Sequence, residues 1–146
     1  MKPDVYSDKF GLKVKCISNA FDTTINRFTA DMDLTSAQSY ILGYLASNRD
    51  KVIYQKDLEA EFNIKHPTIT GILKRLTDKG FVQCIPDERD RRFKRVVATE
   101  KGCTVQLRAR DHIRETERSL LTGLTDAERA ELYRLLNKVL DNVTLK

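Results

Sequence analysis

Between Pro67 and Ala98 the pattern of apolar residues changes from helical to extended, and that change restricts what the chain can fold into. Ile69, Ile72, Leu73 and Leu76 fall at i, i+3, i+4 and i+7, which places them on one face of a helix. Pro67 suits the first turn of that helix. The helix is expected to reach about Lys79, with Gly80 just past its end. Residues 81–85 and 95–98 then read as two short strands. The link between them, Pro86-Asp87-Glu88-Arg89-Asp90-Arg91-Arg92, is polar and heavily charged, so the pair is expected to form a long β-hairpin.

Helices are expected on both sides. Phe10, Val14, Ile17, Phe21, Ile25 and Phe28 recur every three or four residues and line a first helix over about residues 7–31. A second helix follows Leu34. Thr35 and Gln38 form a capping-box signature at its start, Ala37, Tyr40, Ile41, Tyr44 and Leu45 supply its stripe, and Asn48 is its stop. Val52 and Ile53 read as a very short strand. A third helix runs from about Gln55 to Phe62 with Leu58 and Phe62 inward, ended by Asn63, which tolerates left-handed backbone. After the hairpin, residues 99–121 are helical again; Leu124 and Thr125 break the pattern, and Thr125 with Glu128 forms a second capping box. Leu132, Leu135, Leu136, Val139, Leu140 and Val143 then make an apolar stripe.

This order predicts a mainly α fold with a small β-wing. A winged helix-turn-helix over residues 35–102 is flanked by dimerisation helices at the N-terminal end, residues 1–34, and the C-terminal end, residues 103–146. The outer stripes are too apolar to face water. Phe10, Val14 and Ile17 at one end, and Leu132, Leu136, Val139, Leu140 and Val143 at the other, are therefore assigned to contact with a second subunit. The alternative is that the two ends cover each other within one chain.

Charge points to the same middle segment. Nine Lys/Arg against four Asp/Glu lie between Lys65 and Arg95, and elsewhere the two signs cancel, so the whole formal excess of +5 sits there. Such a concentration is the footprint expected for phosphate contact. On the fourth helix, the face opposite the isoleucines shows Thr70, Lys74 and Thr77. His66, Pro67, Thr68 and Gly71 crowd its front, with Arg75 at the edge. Ordinary exposed faces favour Glu, Lys and Gln, yet this one has no acidic residue before Asp78. Short side chains let a backbone approach base edges, and threonine hydroxyls and methyls can read them in the major groove. Arg89, Arg91, Arg92 and Lys94 on the hairpin are placed to reach along a minor groove. At least one acidic residue of the hairpin is expected to pair with a neighbouring arginine, and one wing arginine, Arg92 ahead of Arg91, is expected to be structural and fold back toward Asp78. Tyr54, Gln55 and Lys56 start the helix that would cross the backbone, which makes Gln55 and Lys56 candidate phosphate ligands.

Other chemistries find little support. No HExxH, GxSxG, phosphate-binding loop or GxGxxG occurs, and the two histidines, His66 and His112, lie in no convergent polar cluster, so no enzyme activity is expected. His112 beside Asp111 reads as a surface residue. The three cysteines, Cys16, Cys84 and Cys103, lack the spacing of a metal site or disulfide framework, so no metal and no cofactor are expected. No apolar run is long enough to span a membrane, and the first residues lack the apolar core of a secretory signal, which makes the cytoplasm the expected compartment.

The stretches Leu34-Thr35-Ser36-Ala37-Gln38, Pro67-Thr68-Ile69-Thr70-Gly71-Ile72-Leu73-Lys74-Arg75-Leu76, Lys79-Gly80-Phe81-Val82, Asp90-Arg91-Arg92 and Thr99-Glu100-Lys101-Gly102 together resemble the MarR (multiple antibiotic resistance regulator) family. Each piece is weak alone; their combination in order is specific, and it covers nearly the whole chain. The resemblance implies a homodimer built from the terminal helices and binding to a pseudo-palindromic operator in double-stranded DNA, usually as a repressor. It also implies release when a small, often aromatic effector enters the cleft between dimer helices and DNA-binding lobe. Transferred by position, the helix from His66 to Lys79 would be the reader and Asp90 to Arg92 the wing tip. Phe21, Ile25, Phe28, Tyr40 and Tyr44 are candidate pocket residues, although apolar helix stripes are usually core. One branch of the family senses peroxide through a cysteine near the start of the first helix. Cys16 lies in that region, but Lys15, Ile17 and Ser18 do not match that branch's pattern. Redox sensing on the same fold, and a winged helix used only for protein contact, remain the alternative readings.

Overall fold

Sequence signals along the chain fix most helix ends. The computed structural model describes residues 9–144. The order is α1 (Phe10–Thr29), a short 3-10 turn (Ala30–Met32), α2 (Ser36–Ser47), α3 (Gln55–Phe62), α4 (His66–Asp78), β1 (Val82–Pro86), β2 (Lys94–Ala98), α5 (Glu100–Leu120) and α6 (Asp126–Val143). The expected start of the first helix at residue 7 lies outside the described residues. Its end is tighter than expected, since the last turn closes as 3-10 and Asp33 takes a left-handed φ of 56°.

Both predicted capping boxes form. The Thr35 hydroxyl accepts from the Gln38 N–H at 3.3 Å while Gln38 Oε1 accepts from the Thr35 N–H at 3.2 Å. Thr125 and Glu128 repeat the exchange at 3.1 and 2.8 Å. Each cap satisfies two N–H groups that a helix end leaves without partners. Asn63 ends α3 at φ 50°, and Gly80 follows α4 at φ 78°, where a side chain would be strained.

Two expectations about local structure fail. Val52 and Ile53 form no strand: only Tyr54 makes a bridge, to Arg95, with the Val96 N–H bonded to the Ile53 carbonyl at 2.8 Å. Val52 is exposed and Ile53 buried, because the β2 edge has room for one contact before α3 begins. On α2, Ala37 faces solvent; Ser36, Gln38 and Ser39 are the buried residues of its first turn. The capping box and the 2.8 Å bond from the Ser36 N–H to Asn26 rotate α2 so that its polar start meets α1.

The two strands pair antiparallel from Val82 with Ala98 to Pro86 with Lys94. A single core lies under them. Leu58 from α3, Ile69, Ile72, Leu73 and Leu76 from α4, Val82 and Val96 from the hairpin, and Ile41, Leu42 and Leu45 from α2 are all buried there. Burying a side chain of this size contributes roughly 1.5–3 kcal/mol.

A tight joint fixes α4 to the rest. Gly102, in the first turn of α5, sits against the Phe81 carbonyl so closely that an added Cβ would lie 2.1 Å from that oxygen. The Thr99 hydroxyl donates to the Gly80 carbonyl at 2.7 Å, and Lys101 Nζ donates to the Lys79 carbonyl at 3.1 Å. Lys79 Nζ reaches across to Gln38 Oε1 at 2.9 Å and to the Asp33 carbonyl. The separated motifs of residues 34–38, 79–82 and 99–102 are therefore one packed junction between α2, α4 and α5.

The outer helices do not cover each other. Phe10, Val14 and Ile17 on α1 are exposed, as are Leu135, Leu136, Leu140 and Val143 on α6, and α6 buries none of its residues. Leu132 and Val139 are half-buried. The alternative in which the two ends pack together within one chain is thereby excluded for this conformation. No helix among the described residues is long and apolar enough to cross a membrane.

Candidate nucleic-acid interface

Helix α4 turns its four large apolar residues inward, with Ile69 and Leu76 wholly buried. The amphipathic spacing then leaves His66, Pro67, Thr68, Thr70, Lys74, Arg75 and Thr77 exposed on the other side, and Gly71 half-buried. Lys74 Nζ pairs with Asp78 at 2.9 Å, one turn on, while Arg75 stands free of salt bridges among the described residues. The Thr77 hydroxyl is spent inside the helix, donating to the Leu73 carbonyl at 2.7 Å.

The front of α4 is tied to α3 by a polar cluster that the sequence did not reveal. Gln55 Nε2 donates to the Thr70 hydroxyl oxygen at 2.8 Å, and Glu59 Oε1 lies 2.5 Å from His66 Nδ1. A carboxylate only accepts, so Nδ1 carries the hydrogen and the outer ring nitrogen of His66 faces solvent. Gln55 is thus engaged with α4; of the two expected phosphate ligands, Lys56 is the exposed one. Its ammonium sits 4.5 Å from the centre of the Phe93 ring, which draws it toward the hairpin.

The hairpin loop is folded rather than loose. Asp87 accepts from the Arg89 N–H at 2.9 Å and from the Tyr54 hydroxyl. That hydrogen bond raises the Tyr54 hydroxyl above its ordinary value of 10.0 and holds the Asp87 carboxyl below its ordinary 3.8. Asp90 takes the Arg92 guanidinium in a two-pronged pair, 3.0 Å from Nε and 2.7 Å from Nη2, and its pKa is lowered by that contact. Arg92 is therefore the structural arginine, as expected, but its partner is Asp90; Asp78 is taken by Lys74. The shorter path wins, because a two-residue separation within the loop closes with little chain ordering. Arg89, Arg91 and Lys94 remain exposed.

Between α2, the end of α3 and α5 lies a cleft of about 450 Å³. Tyr40, Tyr44, Phe62, Gln106, Arg110 and Arg114 are among its walls. Of the five expected pocket residues, only Tyr40 and Tyr44 line it. Ile25 is fully buried in the core; Phe28 stacks on His112 with ring centres 4.8 Å apart; Phe21 packs on the outer side of Tyr40 at 5.8 Å. Stripe position alone could not separate core from cavity wall. The same stacking corrects the reading of His112 as a plain surface residue, since it is half-buried between α5 and α1. The Tyr40 hydroxyl donates to Glu117 at 2.5 Å, and burial, then this carboxylate, push its pKa upward. Cys16 is exposed on α1, while Cys84 and Cys103 are half-buried.

A MarR family model matches residues 32–92, from the turn before α2 to the wing. The HTH-type transcriptional regulator YybA of Bacillus subtilis is 29% identical over 131 residues, spanning 90% of this chain and 86% of its own. Over residues 32–92 the chain is similar to the MarR family. Beyond the segment matched by the family model, whole structures superpose. A mutant MarR from E. coli complexed with operator DNA is 26% identical with a TM-score of 0.78, covering 89% of this chain and 92% of that one. S. aureus MepR in a DNA complex reaches a TM-score of 0.87 at 22% identity, covering 93% and 99%, which is likeness of fold. The MarR fold therefore extends through α1, α5 and α6 as well as the matched lobe.

Proposed function

We propose that this protein is a sequence-specific, DNA-binding transcriptional regulator that works as a homodimer. The observation that carries the reading is the α4 face: threonines and cations outward, flanked by the exposed Arg89 and Arg91 of the wing, with all its large apolar residues buried. In this reading residues 35–102 form the reading lobe, and residues 1–34 and 103–146 supply the dimer helices. Thr68, Thr70 and Gly71, with His66 and Pro67, approach base edges. Lys56, Lys74, Arg75, Lys94 and the wing's Arg89 and Arg91 meet phosphate or the minor groove. Relatives described as a transcriptional repressor, IacR of Pseudomonas putida, and as the E. coli MarR–operator complex support it.

Repression released by a small amphipathic effector fits the cleft beside Tyr40 and Tyr44, which joins α5 to the reading lobe. A ligand wedged there would shift α5 against α2 and so change the spacing of the two α4 helices in the dimer. The decisive experiment is a gel shift of the purified chain on duplexes from its own upstream region, with and without excess mixed-sequence DNA. A shift that survives the competitor supports the reading. A chain that binds no duplex, or binds all equally at every salt concentration, overturns it.

A further inference from the structure

Several threonines within the helices of this protein share a habit. Thr24, Thr29, Thr77, Thr104 and Thr116 each donate the hydroxyl hydrogen to the carbonyl four residues earlier, at 2.7–3.0 Å. Thr70, on the exposed face of α4, departs from it. Its hydroxyl oxygen accepts from Gln55 Nε2 at 2.8 Å, and among the described residues it makes no bond back to the His66 carbonyl.

The orientation of the Gln55 amide is fixed from the other side. Glu59 Oε1, an oxygen that can only accept, lies 3.4 Å from Nε2, so turning the amide would set its carbonyl oxygen against a carboxylate. Glu59 is itself held in place by His66 Nδ1 at 2.5 Å. Since that Nδ1 carries a hydrogen, the 3.3 Å approach of Gln55 Nε2 to it joins two donors and offers the amide no alternative acceptor. The Gln55 hydrogens go to Glu59 and Thr70.

We propose that Gln55 is a specificity-determining residue acting through Thr70. By occupying a lone pair of the Thr70 hydroxyl, it directs the O–H outward, so Thr70 meets the major groove as a donor. The base edge it selects must present an acceptor, namely a purine N7, guanine O6 or thymine O4, rather than the amino group of cytosine. Gln55 then contributes base preference without touching DNA, and its family of contacts differs from that of a phosphate ligand. This rests on α4 being the DNA reader.

The test uses the full-length protein and a pool of duplexes randomised in sequence, with the bound fraction sequenced. Four proteins are compared: the unaltered chain, Thr70→Val, Gln55→Met and the double substitution. Gln55→Met keeps an unbranched helix former and removes the donor; Thr70 faces solvent, so Thr70→Val leaves the core alone. The unaltered chain is expected to prefer an acceptor-bearing base by about tenfold or more at one pair in each half-site. Each single substitution should flatten that preference at the same pair, and the double should be no flatter than either, as for one shared interaction. Thr70→Ser, which keeps the hydroxyl, should retain the preference. A Gln55→Met protein that loses affinity uniformly over all sequences marks Gln55 as a phosphate ligand and overturns the proposal. So does independent, additive flattening at two different pairs. If the unaltered chain selects no sequence at all, the regulator reading itself has failed; selection that survives Gln55→Met unchanged sinks only the role of Gln55.

Discussion

At the scale of single residues, the wing separates structural from available charge. Arg92 is committed to Asp90 at 2.7 Å, whereas Arg89 and Arg91 have no salt bridge among the described residues. Replacing both Arg89 and Arg91 by Ala is expected to weaken DNA binding and reduce its salt slope by about two, one per lost phosphate contact. Titrations at several salt concentrations check this, and an unchanged slope removes the wing from the interface. Tyr54 and Asp87 set the loop's pH window. The depressed Asp87 carboxyl contributes order above its ordinary 3.8 that is lost as pH falls through its folded value. The raised Tyr54 hydroxyl contributes below its ordinary 10.0 and is lost as pH climbs through its folded value. In Tyr54→Phe the amides of residues 87–93 should exchange faster at neutral pH, and acidification below 3.8 should add less than in the unaltered chain. Gly102 is the residue with least freedom. Gly102→Ala must move a backbone oxygen that sits 2.1 Å from the new Cβ, so a loss of about 3 kcal/mol or more is expected in chemical unfolding.

At the scale of elements, the terminal helices carry an imbalance. Leu136 is 37% and Leu140 52% exposed on α6, and Ile17 is 56% exposed on α1, so both helices present apolar faces that the described residues leave open. Faces of this kind drive association. Leu136→Glu or Val139→Glu places a carboxylate on that face. Sedimentation should then report monomer, or an unfolded chain, where the unaltered protein sediments as a dimer. A dimer of unchanged affinity would move the subunit contact elsewhere. Helix α6 also touches the winged lobe of its own chain, since Asn63 Nδ2 donates to the Val143 carbonyl at 3.2 Å. The turn between α3 and α4 is thus anchored to the end of the helix that would meet the partner.

At the scale of the whole molecule, α5 packs on α1, α2 and β2 and so braces the winged lobe against the first helix. A two-fold dimer through the exposed faces of α1 and α6 would carry two copies of α4, which under the proposed function meet half-sites about one helical turn apart. Footprinting on a selected duplex is expected to protect two half-sites at that spacing in inverted orientation. Protection of one unpaired site would contradict the dimer.

Features set by residues one to four positions apart were legible in the chain itself: both capping boxes, the left-handed Asn63, the inward set Ile69, Ile72, Leu73 and Leu76, and the charged hairpin. Backbone hydrogen bonding and side-chain periodicity act over that range, so local sequence is sufficient. Only tertiary structure decided which polar groups spend their hydrogen bonds on each other. Gln55 finds Thr70 and Glu59 finds His66 across the α3–α4 contact, and Ile25 enters the core while Tyr40 and Tyr44, on the same kind of stripe, wall a cleft. Those outcomes depend on how far one helix is rotated against another, and that rotation is settled by the whole core packing at once.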